Sequence, residues 1–143
     1  MDKNREEAAR AILLVNNDIV TIKRTKYNGD SEYVYYTLPG GHVEKGETFE
    51  ETVIREVEEE LGIKVKIEEE FMSIYNEDID KYEKFYLCEY VSGDIGTGTG
   101  PEFINIDLKK YGKYEIEYIP KNKINEYNLL PKNVKLELSK KFN

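Results

Sequence analysis

The chain has 143 residues, 29 of them acidic and 21 basic, for a formal net charge of −8. That surplus leaves no basic stripe for a phosphate backbone, which excludes duplex nucleic acid as a partner. One cysteine, Cys88, excludes a disulfide framework, and no apolar run approaches the ~20 residues of a membrane-spanning helix, which excludes insertion in a membrane.

The charged start, Met1 to Arg10, has no apolar segment of signal-peptide length, so the expectation is a cytoplasmic protein whose length suits one domain over residues 1–143. Ala11 to Val15 is a continuous apolar run and Ile19 to Ile22 is a second β-prone run. With the turn cluster Asn16-Asn17-Asp18 between them, Ala9 to Arg24 reads as a hairpin. Tyr27 to Asp30 reads as a loop and Glu32 to Thr37 as a strand, which delivers the chain into the turn Leu38-Pro39-Gly40-Gly41. Proline there forbids continuation of the ladder, the glycines allow a tight path, and the turn can present a backbone carbonyl to a cation.

Next comes a helix rich in carboxylates. Thr48 is a natural N-cap, Glu51 completes a capping box with it, and Gly62 stops the helix in the left-handed conformation that glycine adopts most cheaply. At about 100° per residue, Phe49, Val53, Ile54, Val57 and Leu61 form a core-facing stripe. Glu56, Glu59 and Glu60 fall on the rim of that stripe, and Glu51, Arg55 and Glu58 on the wetter side. Carboxylates at i, i+3 and i+4 repel one another by a few tenths of a kcal/mol per pair, and no cation stands at spacings that offset all three. Two readings remain: a solvated acidic face, or a site for a hard divalent ion with oxygen ligands.

Gly41, then Glu47 after five residues, then Arg55-Glu56-Val57-Glu58-Glu59-Glu60-Leu61-Gly62-Ile63 after seven more, resembles the signature box of the Nudix hydrolases. The box covers 23 residues and fixes nine of them, all matched here. The resemblance implies an α/β (α+β) fold, an α/β/α sandwich with a mixed sheet between helices. It also implies a metal-dependent, MutT-like pyrophosphohydrolase. Glu56, Glu59 and Glu60 would bind Mg²⁺ or Mn²⁺, with the carbonyl of Gly40 completing the shell. Glu47 and Arg55 would pair with each other and orient Glu56, and the general base would be Glu56 or Glu59.

After the helix, Lys64 to Tyr75 and Lys81 to Val91 read as a hairpin about the polar turn Asn76 to Asp80. Ser92 to Pro101 is a glycine-rich loop without the strand-then-helix context of a phosphate cradle, and reads as a lid or connector. Glu102 follows as a candidate extra acid, then a short strand over Phe103 to Leu108. Tyr114 to Ile119 alternates like a strand. Pro131 opens a closing helix to about Lys141, with Val134, Leu136 and Leu138 as its apolar contacts.

His42 reads as a loop residue, Cys88 as a buried free thiol, and most of the 12 tyrosines as packing, one or two lining the pocket. Arg24, at a strand end, is read as a surface cation, with phosphate contact as the other reading. The substrate expected from the resemblance is a nucleoside diphosphate linked to another moiety, cleaved at its diphosphate bridge, and a homodimer is the one assembly left open. The rival is a non-catalytic nucleotide-binding sensor or scaffold with the same fold. No proline follows in the window after Ile63 and Tyr82 falls late, so no subfamily is selected.

Overall fold

The computed structural model describes residues 6–98 and 112–142. Glu102 and the strand expected over Phe103 to Leu108 lie outside the described residues, as does the end of the loop expected over Ser92 to Pro101.

Strands β1 (Glu6–Val15), β2 (Asp18–Asn28) and β3 (Ser31–Thr37) come first, followed by the short β4 (Gly40–His42) and helix α1 (Phe49–Leu61). The hairpin of β5 (Ile63–Asn76) and β6 (Lys81–Gly93), then β7 (Lys113–Pro120), a 3-10 turn at Lys121–Glu126 and helix α2 (Lys132–Phe142) complete the described chain. The strands form a seven-stranded mixed sheet ordered β3-β2-β1-β6-β5, with β4 on β1 and β7 on β2. β1 meets β2 only at the tip, where Asn16 and Asn17 both have positive φ, as a two-residue hairpin turn requires. Its remaining length runs parallel to β6 and antiparallel to β4.

Period-two alternation along β1 sends Ala9, Ala11 and Leu13 to one face and Ile12 to the other. The first face packs on Val53, Val57 and Leu61 of α1; the second packs on Ile124, Leu129 and, from α2, Val134 and Leu138. Both faces are covered, which is why Ala11 to Val15 is apolar without a break. The layers are those of the expected sandwich. Cys88 is buried, and burial pushes its thiol up to about 12.

Four local expectations are corrected. Pro39 does not end the ladder: it lacks an N–H, but its carbonyl accepts from Ala11 N at 2.8 Å, and Gly40–His42 continues as a strand on β1. Tyr27 and Asn28 belong to β2 rather than a loop, because β2 and β3 stay paired to Asn28↔Ser31. Ile54 is 39% exposed, at the edge of the α1 stripe, while Thr52 is buried in its place because its hydroxyl donates to Thr48 O. Leu136 is 53% exposed: on α2 it points away from the Val134 and Leu138 pair, which an i, i+4 spacing aligns.

Candidate active site

Thr48 caps α1 as the sequence requires: its hydroxyl accepts from Glu51 N at 3.0 Å, and Glu51 accepts from Thr48 N at 2.8 Å. Gly62 ends the helix with φ 79°. These two signals fix which helical positions face the sheet, and so place Glu56 and Glu60 on a cleft of about 370 Å³ between α1, β4 and β2, while Glu59 is not among the residues that line it. Glu56 and Glu60 line it together with Gly40, Gly41 and Arg55.

Arg55 is the centre of the site and the clearest local departure from expectation. Its backbone lies on the wetter side of α1, but its side chain is only 26% exposed because the guanidinium curls back along the helix. It donates from Nε to Glu47 Oε2 at 2.7 Å and from Nη2 to Glu47 Oε1 at 3.1 Å, a two-pronged pair. Nη1 donates to Glu56 Oε1 at 2.9 Å and to Glu59 at 3.3 and 3.4 Å, while Nη2 also reaches the carbonyl of His42 at 3.1 Å. The hydrogen bond to Glu47 is the largest influence raising the Arg55 pKa, against the lowering effect of its burial. One arginine thus offsets repulsion at Glu56 and Glu59.

Glu47 is held from several sides. Besides Arg55, Oε1 accepts from Thr52 Oγ1 at 2.7 Å and from Glu44 N at 3.0 Å. The Arg55 hydrogen bonds, helped by Thr52, hold its carboxyl down to about 2 despite some desolvation. Glu60 accepts from Gly40 N at 2.9 Å.

The glycines have specific reasons. A Cβ at Gly40 would stand 2.2 Å from Ala9 O, and one at Gly41 would stand 2.6 Å from the Glu56 carboxyl carbon. Gly41 therefore lets Glu56 lie against β4. Pro39 and Val43 face β1 with their ladder bonds, so by antiparallel alternation the Gly40 peptide groups point the other way, as its N–H to Glu60 shows.

Among the described residues no three His, Cys, Asp or Glu side chains converge as a ready cation cage. In kind the donors do fit a hard divalent ion: carboxylate oxygens on one helix face beside an outward-facing peptide. Glu59, with the longest contacts to Arg55, is the least committed of them.

His42 ends β4 and makes contacts with Glu6 and Lys81, and burial first, then Lys81, lowers its pKa. Arg24 is a cleft residue rather than a plain surface cation; its guanidinium lies 3.7 Å from the ring centre of Tyr114, which also lines the cleft. Sequence reading missed Arg10, another cleft residue; a lone charge inside Ala8-Ala9-Arg10-Ala11 was the available signal.

A mixed sheet between helices, with a capped carboxylate helix locked to a glycine strand by one arginine, defines the class, and the NUDIX domain model matches residues 5–129. The chain belongs to the NUDIX domain family. It is 29% identical over 121 residues to an ADP-ribose pyrophosphatase of Methanocaldococcus jannaschii, covering 80% of this chain and 64% of that protein. It is 45% identical over 60 residues to the NAD-capped RNA hydrolase NudC of Photobacterium profundum, covering 42% of this chain and 23% of that one. The chain spans less than two thirds of the length of these relatives. Among solved structures, a MutT NUDIX hydrolase from Burkholderia pseudomallei superposes with a TM-score of 0.68 at 21% identity, over 93% of this chain and 96% of that one, a likeness of fold. Nudix hydrolases in general use divalent metal ions. No helix among the described residues is long and apolar enough to cross a membrane.

Proposed function

We propose that the protein hydrolyses the diphosphate linkage of a nucleoside diphosphate joined to another moiety, with Mg²⁺, or Mn²⁺ in its place. The observation that carries the reading is the Arg55 cluster: Glu47, Glu56 and Glu59 gathered by one guanidinium, beside Gly41 and a cleft open to a small molecule. The relative named as an ADP-ribose pyrophosphatase supports this substrate class.

Glu56, Glu59 and Glu60, with the carbonyl of Gly40, would hold the metal, and when bound it supplies neutralisation of charge on the diphosphate oxygens. Glu56 and Glu59, both carboxylates that accept from Arg55, are the two candidates to take the proton of the attacking water. Arg55 orients them, and Glu47 fixes Arg55. Glu47 and Arg55 are therefore positioning residues, each holding the next group in the geometry that catalysis needs.

The test is hydrolysis of ADP-ribose, UDP-sugars, nucleoside triphosphates and dinucleoside polyphosphates, with Mg²⁺ and then with excess chelator. Cleavage of at least one class in Mg²⁺ and none in chelator is expected. Full activity in chelator sinks the reading. Binding of a nucleotide without turnover of any of them gives the protein to the sensor alternative.

A further inference from the structure

We propose that Arg10 is an anion-binding residue of the same cleft, contacting a phosphate oxygen of the substrate, and that Glu83 and Asn76 position it. The inference rests on the function proposed above and adds a residue outside the α1 cluster.

Glu83, on β6, is the one carboxylate buried among the described residues, at 1% exposure. Both of its oxygens are satisfied: Oε2 accepts from Arg10 Nε at 2.7 Å and Oε1 from Asn76 Nδ2 at 2.8 Å. Arg10 also donates from Nη1 to Leu38 O at 3.0 Å, at the start of the turn that leads into β4. A guanidinium carries five N–H donors. The described residues give acceptors to two of them, leaving both hydrogens of Nη2 and one of Nη1 for something else.

Arg10 lines the cleft together with Gly40, Gly41, Glu56 and Glu60. Its β1 position is directly opposite Gly40, and both residues line the cleft. Among the cleft cations, Arg55 is occupied by Glu44, Glu47, Glu56 and Glu59. An anionic diphosphate entering a cleft with several carboxylates needs donors that the protein's own acids have not taken.

Stability does not demand this arrangement. A buried ion pair is often replaced by apolar residues of similar volume without loss, so its presence calls for another reason. Fixing a planar, permanently charged fork on the cleft wall supplies one: phosphate is recognised by such a fork held in one orientation.

The experiment uses the full chain, comparing wild type with Arg10→Lys and with the charge-neutral pair Arg10→Met, Glu83→Gln, which strands no buried charge. Binding of inorganic pyrophosphate in Mg²⁺ is measured by calorimetry, and KM and kcat by hydrolysis of the best substrate found. A charged hydrogen bond is worth roughly 10- to 100-fold in affinity, so the double variant should weaken pyrophosphate binding and raise KM by about tenfold or more. Arg10→Lys keeps the charge without the fork and should lose about three- to tenfold in both. A folded double variant with unchanged pyrophosphate affinity and KM overturns the assignment, since a purely structural pair moves only the melting temperature. If the double variant does not fold, unchanged values for Arg10→Lys overturn it equally, and so does a wild type that binds no pyrophosphate. A wild type that binds pyrophosphate through Arg10 yet hydrolyses nothing removes the proposed function and leaves this assignment standing.

Discussion

Two arginine–glutamate pairs border one cleft and are built in opposite ways. Arg55 and Glu47 lie eight residues apart, on and just before one helix, and both remain at the rim with water nearby. Arg10 and Glu83 lie 73 residues apart on neighbouring parallel strands, and the carboxylate is sealed from solvent. The first pair is assembled as soon as α1 forms and can be adjusted by neighbours such as Thr52 and Glu44. The second exists only once β1 and β6 are paired. A local pair at the rim serves to aim other groups, whereas a sealed, non-local pair holds two strands and one fixed fork.

The difference is tested hardest by deleting one partner of the sealed pair. Glu83→Ala leaves the Arg10 guanidinium, 19% exposed, without its buried acceptor, a change that costs about 2–3 kcal/mol, less than for a fully sealed charge. Urea unfolding should show a loss of that order. A loss under about 1 kcal/mol, no more than an exposed pair gives, would erase the contrast.

The second test asks whether the local cluster is for chemistry. Glu56→Gln keeps shape and helix propensity but removes charge next to Arg55, Glu59 and Glu60. The expected result is a fall in kcat of at least about 10²-fold with the melting temperature nearly unchanged, the scale of losing a general base. Because Glu56 accepts from Arg55 at 2.9 Å, a structural role is a real rival. It predicts the reverse, a lower melting temperature with kcat intact, and that outcome would make both pairs structural.

The same contrast explains what was legible in the sequence. Glu47, Arg55, Glu56, Glu59 and Glu60 sit within 14 residues, and the cap at Thr48 and stop at Gly62 fix the helix that arranges them. Nothing local pairs Arg10 with Glu83, because their meeting depends on the parallel register Ala8↔Glu83, Arg10↔Phe85. Helical angles placed Arg55 on the wet side correctly for its backbone, but a long side chain reaches about a turn along the helix. Strand β4 was hidden by Pro39, since proline signals a lost donor and says nothing of its carbonyl. Ile54 was read as core from its helical angle, although it lies at the edge of the α1 stripe, and Leu136 from residue type, although on α2 it points away from Val134 and Leu138.

The smallest expected effect belongs to Glu47 and sharpens the comparison through pH. Its carboxyl is held from an ordinary value of 4.5 down to about 2, chiefly by the Arg55 hydrogen bonds. The unfolded chain therefore takes up a proton near pH 4.5 that the native protein refuses until about pH 2. Folding stability from this group is complete above pH 4.5 and is lost progressively as pH falls from there to about 2. Both partners keep some contact with water, at 17% and 26% exposure, so screening brings the contribution to about 1 kcal/mol rather than the full linkage value. Glu47→Gln removes it at every pH. Wild type should thus exceed the variant by about 1 kcal/mol at pH 6, and the gap should narrow below pH 4.5, read as the difference of two urea midpoints. A constant gap down to pH 2.5 would mean that Glu47 acts through packing and not through its charge. The rim pair would then differ from the sealed one in location alone.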